Sequence, residues 1–327
     1  MPEQTVIEAV RDTMRAEMRR DESVILLGED VGLRGGVFLA TDGFIEEFGE
    51  DRVIDTPLAE SLICGLALGA AVNGMRPLAE IQFADFVWPA INQLVGEAAR
   101  VRYGTNGVKT VPMTIRVPYG GGVRGGLYHS QSIEVLFAHT PGLTVVAPAT
   151  PYDAKGLLAS AIRSDDPVIV LEHKRTYRLV KGEVPIEDYT IPIGRAEIKR
   201  PGSEMTIVTY GLMLHYALQA AETVSEQGLD VEVLDLRTLR PLDADAIAES
   251  VSRTGKVLIV QEDTPAVSIS SEVAAIVGER CFFDLDGPIT RLTAPELPPM
   301  PFSPLQEAAF MPSPEKIVAA IAKLAEL

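Results

Sequence analysis

Short apolar runs alternate with amphipathic stretches from one end of this chain to the other. Val24-Ile-Leu-Leu27, residues 77–83, residues 111–117, Leu143-Thr-Val-Val146 and residues 168–171 have the length and the β-branched content of strands buried on both faces. Between them, residues 5–19, 61–73 and 86–103 repeat apolar positions at helical spacing, and the second of these is crowded with small residues (Gly65, Ala67, Gly69, Ala70, Ala71). Thr150-Pro-Tyr-Asp153 predicts a further helix start: Thr150 as cap, Pro151 at the first helical position, Asp153 as the acidic partner. Alternation of this kind predicts an α/β fold with a mostly parallel sheet covered on both faces.

The rhythm breaks after about residue 174, where charged residues, Pro and Gly intervene, and a second alternation then begins. Residues 205–210, 231–236 and 256–260 read as strands, and residues 212–227, 243–252 and 271–280 as helices. A Pro-rich stretch over 295–304 precedes a short amphipathic helix from Pro314. The chain thus reads as two α/β domains, 1–185 and 204–327, joined by a linker over 186–203.

Composition narrows the function classes. With 327 residues, 46% of them hydrophobic, the chain can fill two cores of ordinary size. A formal net charge of −17 argues against nucleic acid, whose phosphates need a basic footprint, and against an anionic membrane surface. No apolar run approaches the roughly 20 residues that span a bilayer, and the opening Met1-Pro-Glu-Gln-Thr-Val6 lacks the basic and apolar regions of a signal peptide. Cys64 and Cys281, without CxxC spacing, frame neither a zinc site nor a disulfide scaffold, and point to a reducing, cytoplasmic setting.

Three constellations could carry chemistry. Gly120-Gly-Gly-Val-Arg-Gly-Gly126 holds five glycines, satisfies G-x-G-x-x-G and is followed by His129. A dinucleotide site would need this loop between the first strand of a βαβ unit and its helix, whereas here it lies mid-domain and runs on into His-Ser-Gln. A nicotinamide-dependent oxidoreductase therefore has the wrong context, and a serine hydrolase lacks its G-x-S-x-G elbow. Asp55-Thr-Pro-Leu-Ala-Glu60 admits a plain reading, with Thr or Asp capping a helix, Pro at its first position and an acid favoured by the dipole. It also admits a functional one: a carboxylate set among Leu58, Leu62 and Ile63, suited to hold or donate a proton. Glu80-Ile-Gln-Phe-Ala-Asp-Phe-Val-Trp88 interleaves polar groups with aromatics, either as a strand-to-helix turn or as a flat pocket for an aromatic ring.

Taken in order, these stretches resemble a family. Gly28-Glu-Asp-Val31, the 55–60 stretch, Glu80 to Asp85, Thr114-Ile-Arg116, Gly126-Leu-Tyr-His-Ser-Gln131, Thr140-Pro-Gly-Leu143 and Val233 to Pro241 are similar to the beta subunit of the thiamine diphosphate-dependent 2-oxo acid dehydrogenase component. Leu-Tyr-His-Ser-Gln-Ser is nearer to the branched-chain 2-oxo acid type than to the pyruvate or acetoin types. The resemblance implies a transketolase-like pyrimidine-binding domain followed by a transketolase C-terminal-like domain. It also implies an α2β2 heterotetramer, with magnesium and the diphosphate held on the alpha subunit, and a lipoylated acyltransferase core as partner. The GDG…N pattern for magnesium and diphosphate is indeed absent from this chain.

By the same resemblance Glu60 bonds the pyrimidine ring and activates the cofactor. Gln82 and Phe86 line the aminopyrimidine pocket, with Phe86 standing where many relatives have Tyr, and Glu29 and Leu58 fall at pocket positions. His129 meets the lipoyl group at the active-site mouth, its glycines shaping the entry. Val111, Met113, Thr114, Ala161, Ser164 and Asp166 match the ligands of a potassium ion, although Ser164 stands where an acid is expected. A subunit that mainly scaffolds the core, docking a basic module on its acidic C-terminal domain, is the alternative of a different class.

Overall fold

The first strands are nearly continuous apolar runs, so their residues can be buried only in a sheet covered on both sides. The computed structural model describes all 327 residues and resolves into two units: Met1–Tyr119 with Leu136–Ile193, and Gly120–Val135 with Gly194–Leu327.

In the first unit a short strand β1 (Glu3–Thr5) leads into a helix, Val6–Arg20. Thr5 caps that helix: its hydroxyl accepts from the Glu8 amide while the Glu8 carboxylate accepts from the Thr5 amide, a capping box. Then come β2 (Val24–Gly28), β3 (Val53–Asp55), β4 (Arg76–Glu80), β5 (Thr114–Tyr119), β6 (Thr144–Val146) and β7 (Val168–His173), while β8 (Lys181–Glu183) returns antiparallel to β1. The six strands β6-β7-β5-β4-β2-β3 lie side by side in that order, all parallel, with Leu26 level with Leu78 and Thr114 with both Leu78 and Val168. Helix Val6–Arg20 packs against helix Pro151–Arg163 over one face, burying Met14, Met18, Leu157 and Leu158 with Leu26, Leu78 and Val170. Thr150 caps that second helix by accepting from the Asp153 amide at 3.1 Å, as its sequence predicts.

The second unit carries its own sheet. β9 (Glu197–Arg200), β10 (Met205–Thr209), β11 (Val231–Asp235), a short β12 (Thr238–Arg240), β13 (Val257–Val260) and β14 (Thr290–Leu292) follow in sequence. The order β14-β13-β10-β11-β9 is parallel except for β9, which runs antiparallel on β11. β9 lies inside the stretch expected as a linker. Pro and Gly flank it there, but Ile198 and Arg200 pair with Leu234 and Val233, so those backbone groups find their partners in a sheet edge.

One helix departs from expectation. Residues 86–103 form turns at Ala84–Phe86 and Trp88–Ala90, a wide π-type stretch over Asn92–Ala98, and only then an α-helix, Ala99–Gly104. Pro89 has no N–H to donate and disfavours helical backbone at Trp88, so the segment starts as separate tight turns.

Candidate active site

The topology points to one crevice. The connection leaving β2 runs to β3 on one side, while β4 continues to β5 on the other. In open α/β sheets, ligands bind beyond the carboxyl ends of strands whose connections diverge in this way. Glu29 is the first residue after β2, and Gln82 lies two residues beyond β4. The Gln82 amide nitrogen donates to the Glu29 carbonyl at 3.3 Å. The connection after β3 is tied to the same place, since the Thr56 amide donates to the Gly28 carbonyl at 2.9 Å.

The 55–60 stretch resolves differently from its plain reading. The helix begins at Glu60 itself, Ala59 occupies the cap position, and no side chain caps it. Asp55 accepts instead from the Gly32 amide at 2.7 Å, and residues 56–59 form a lead-in. Glu60 therefore sits in the first turn of helix Glu60–Val72, where the free amides favour negative charge. Its side chain is 8% exposed, yet no donor of the chain pairs with it. Of the apolar neighbours expected around it, Ile63 is buried and Leu58 and Leu62 are exposed.

Two further groups feel the Glu60 charge. Burial, then Asp30 and Glu60, hold the Glu29 carboxyl above its ordinary range. Cys64, one turn along the helix, is pushed up to about 12 by burial and by Glu60. Beside the crevice, Phe86 is half-buried and meets the edge of Phe83 at 5.8 Å; Phe83 in turn contacts Phe38 at 5.6 Å. Glu29, Glu60 and Gln82 are thus gathered at one end of the sheet.

Behind the crevice lies a fully paired network. Arg116 in β5 donates through Nε and Nη2 to both oxygens of Glu172 at 2.7 Å, and through Nη1 to Glu80 at 2.6 Å. Tyr177 adds a 2.5 Å bond to Glu172. All four side chains are buried. Burial raises the Glu80 carboxyl, and the Arg116 guanidinium opposes that rise. Bidentate arginine of this kind fixes β4, β5 and β7 to one another.

The glycine loop and His129 belong to the second unit. The Gly120 amide donates to the Gln131 carbonyl at 3.0 Å and closes the loop. The Gly121 amide donates to Glu262 at 2.6 Å, and the amides of Gly122 and Arg124 donate to one oxygen of Glu307 at 3.1 and 3.0 Å. Amides that could cradle a phosphate are thus filled by the protein's own carboxylates. A side chain at Gly126 (φ +66°) would press on Phe302 at 3.0 Å, and one at Gly125 would meet the His129 carbonyl at 2.5 Å. His129 follows a short turn, Gly126–Tyr128, and is half-buried.

Comparison with known proteins agrees with this architecture. Residues 3–180 match the model of the transketolase pyrimidine-binding domain and residues 194–317 that of the transketolase C-terminal domain. The chain is 58% identical over 320 residues to the 2-oxoisovalerate dehydrogenase subunit beta of Bacillus subtilis, covering 98% of each chain. The chain belongs to the 2-oxo acid dehydrogenase beta subunits. It is also 48% identical over 326 residues to the pyruvate dehydrogenase E1 component subunit beta of the same organism, covering 100% of each. A solved structure described as a split-gene transketolase, inactive beta4 tetramer, superposes with a TM-score of 0.78 at 22% identity, over 99% of this chain and 98% of that one, and shares the fold.

In this beta subunit the residues matched to a potassium site, Val111, Met113, Thr114, Ala161, Ser164 and Asp166, lie around β5 and the end of helix Pro151–Arg163. The Val111 amide donates to the Asp165 carbonyl, and the Val168 amide to the Met113 carbonyl. Ser164 Oγ bonds the Asp166 backbone, and Thr114 is buried beside them in β5. Arg76 donates to the Ser164 carbonyl at 2.8 Å, and Arg102 pairs with the Asp166 carboxylate. The carbonyls of Val111, Met113, Ala161 and Ser164 each accept one bond and keep a second lone pair. Beside these carbonyls the corner holds the carboxylates of Asp165 and Asp166, paired with Arg76 and Arg102, and no group of three or more His, Cys, Asp or Glu is gathered for a metal ion. Arg116 lies in the matched Thr114-Ile-Arg116 stretch, whereas its partner Glu172 and the acids Glu262 and Glu307 carry no local motif. Glu172 ends an apolar strand and Glu262 follows one, a placement that single acids often take at strand ends.

Proposed function

We propose that this beta subunit works with an alpha subunit to decarboxylate a branched-chain 2-oxo acid on thiamine diphosphate and to pass the acyl group to a lipoyl group of an acyltransferase core. The observation that carries the reading is the Glu60 carboxylate, buried, without a donor of its own and facing the like charge of Glu29. A carboxylate with no donor inside the chain can take one from a ligand, and a protonated pyrimidine nitrogen suits it. When bound, thiamine diphosphate supplies the nucleophile and the electron sink for loss of carbon dioxide. Glu60 would hold the proton at the ring nitrogen, Gln82, Glu29, Phe86 and Leu58 would hold the ring, and His129 would protonate or orient the lipoyl sulfur.

The substrate assignment rests on the higher identity to the 2-oxoisovalerate relative than to the pyruvate relative. The alpha partner is supported by an apolar face: Leu58, Leu62, Leu66 and Trp88 are all exposed, and Leu62 and Leu66 stand one turn apart on the helix that Glu60 begins. We assign an α2β2 assembly in the cytoplasm, magnesium and the diphosphate on the alpha chain, potassium at the 111–114 and 161–166 carbonyls, and the pyrimidine to residues 1–185, with residues 204–327 as the second domain. No helix of the chain is long and apolar enough to cross a membrane.

The test is a substrate panel on the chain co-assembled with its alpha subunit, read by dye-linked decarboxylation. Branched-chain 2-oxo acids should give the highest kcat/KM. A preference for pyruvate would overturn the substrate assignment, and normal turnover by Glu60→Ala would overturn the role of Glu60.

A further inference from the structure

The loop that carries His129 is held by two acids to which no role attaches so far. Glu262 lies just beyond β13 and Glu307 lies in the helix Pro304–Phe310, 141 and 185 residues from the amides they bind. Both side chains are buried, at 4% and 6% exposure. Three amides bond them: Gly121 to Glu262, and Gly122 and Arg124 to Glu307. Arg124 is held at φ +60°, a backbone region that side-chain-bearing residues seldom adopt, so the turn needs an external restraint. The same segment supplies packing: Met300 lies against Gly121, and Phe302 against Gly126. Amide bonds to an ionised acceptor are about twice as strong as neutral ones, and here they are shielded from water.

We infer that Glu262 and Glu307 are positioning residues for His129. Their carboxylates fill the amide cradle of the 120–126 loop and fix the turn from which the imidazole projects. The inference rests on the reading of His129 as the group that meets the lipoyl sulfur. It explains why a loop with the spacing of a phosphate binder sits in a protein whose diphosphate is assigned to another chain: the anion it cradles is internal. Neither acid touches the reacting atoms, so each acts through loop geometry alone.

The experiment uses the chain co-assembled with its alpha subunit, as wild type, Glu307→Ala, Glu307→Gln and His129→Ala. Hydrogen exchange of the peptide covering residues 120–126 reads the latch without any activity. Glu307→Ala should lose about ten- to hundredfold of its protection, the equilibrium worth of charge-assisted bonds, and Glu307→Gln, which keeps an acceptor oxygen, should recover part of it. Acylation of a free lipoyl domain should fall about tenfold more than dye-linked decarboxylation in Glu307→Ala, mainly through KM for the lipoyl domain. Unchanged exchange in Glu307→Ala overturns the latch. Lost protection with normal acylation, while His129→Ala slows acylation, overturns positioning. Normal acylation in both Glu307→Ala and His129→Ala overturns the reading of His129, and with it the catalytic consequence of the latch, whereas the exchange result still stands.

Discussion

Two groups of buried acids lie near the same sheet and could hardly be treated more differently. Glu80 and Glu172 share one arginine, and each guanidinium nitrogen donates to one of them. Glu60 and Glu29 share a crevice, and no cation of the chain bonds either carboxylate; burial, then Asp30 and Glu60, hold Glu29 above its ordinary range, against the weaker pull of Arg34. The first group completes itself within the chain and is therefore structural: removing any member strands the others. The second is incomplete within the chain, and its incompleteness is what a ligand can satisfy. Burial alone thus does not set the two groups apart; on the proposed reading, the lack of a partner within the chain does.

That contrast can be broken experimentally. The largest effect is expected at Glu60. Glu60→Ala should lower dye-linked turnover of the assembled enzyme by about 10²–10⁴-fold, the usual worth of a positioned proton-handling group. Its melting temperature should hold or rise, because an uncompensated charge has left the crevice. A large loss of stability with turnover intact would erase the distinction. Next comes Arg116→Met, which leaves Glu80 and Glu172 buried without their cation. Unfolding free energy in denaturant titration should drop by about 3–5 kcal/mol.

A third acid sharpens the comparison because it lies between the two cases. Glu134 Oε1 accepts from the Tyr210 hydroxyl at 2.7 Å, while Oε2 lies buried without a side-chain partner. Burial, with Asp263 and Glu262 nearby, pushes it up to about 8, against 4.5 when free. Its folded value exceeds its unfolded value, so the folded state keeps the proton longer. The contribution to stability is therefore intact below about pH 4.5 and is lost as pH rises towards 8. Glu134→Gln should flatten that decline, which amounts to no more than ~1.4 kcal/mol per pH unit within the window. Chemical denaturation at pH 5, 6.5 and 8 checks it. The smallest effect is expected from Phe86→Tyr, which adds a hydroxyl beside the aromatic pocket. Thiamine diphosphate should bind the assembled enzyme about two- to tenfold more tightly, as one added hydrogen bond allows, when measured by isothermal titration.

What the sequence discloses follows the range of the forces involved. Caps are local, so Thr150 and the Thr150-to-Asp153 bond could be read directly, and the apolar strands of both sheets stand close to their expected bounds. Glu60 was recognisable through the motif around it, but its helix register was not. The cap expected of Asp55 or Thr56 depends on whether Asp55 is free, and Gly32, which is 23 residues away, claims it. The π-type stretch after Pro89 and the edge strand inside the expected linker are likewise decided by neighbours that local spacing does not reveal. The glycine loop is the furthest case. Its spacing suggested a phosphate, and only contacts across 141 to 185 residues reveal that carboxylates fill it.

Cys64 carries a last consequence. Its thiol lies one helical turn from the acid assigned to cofactor activation, fully buried and held in the protonated form. Nucleophilic attack on peroxides or alkylating agents needs the thiolate, so this sulfur is chemically silent at neutral pH. The Cys64 thiol is thus kept out of reach of oxidants, and any inactivation of the enzyme by peroxide should leave Cys64 unmodified.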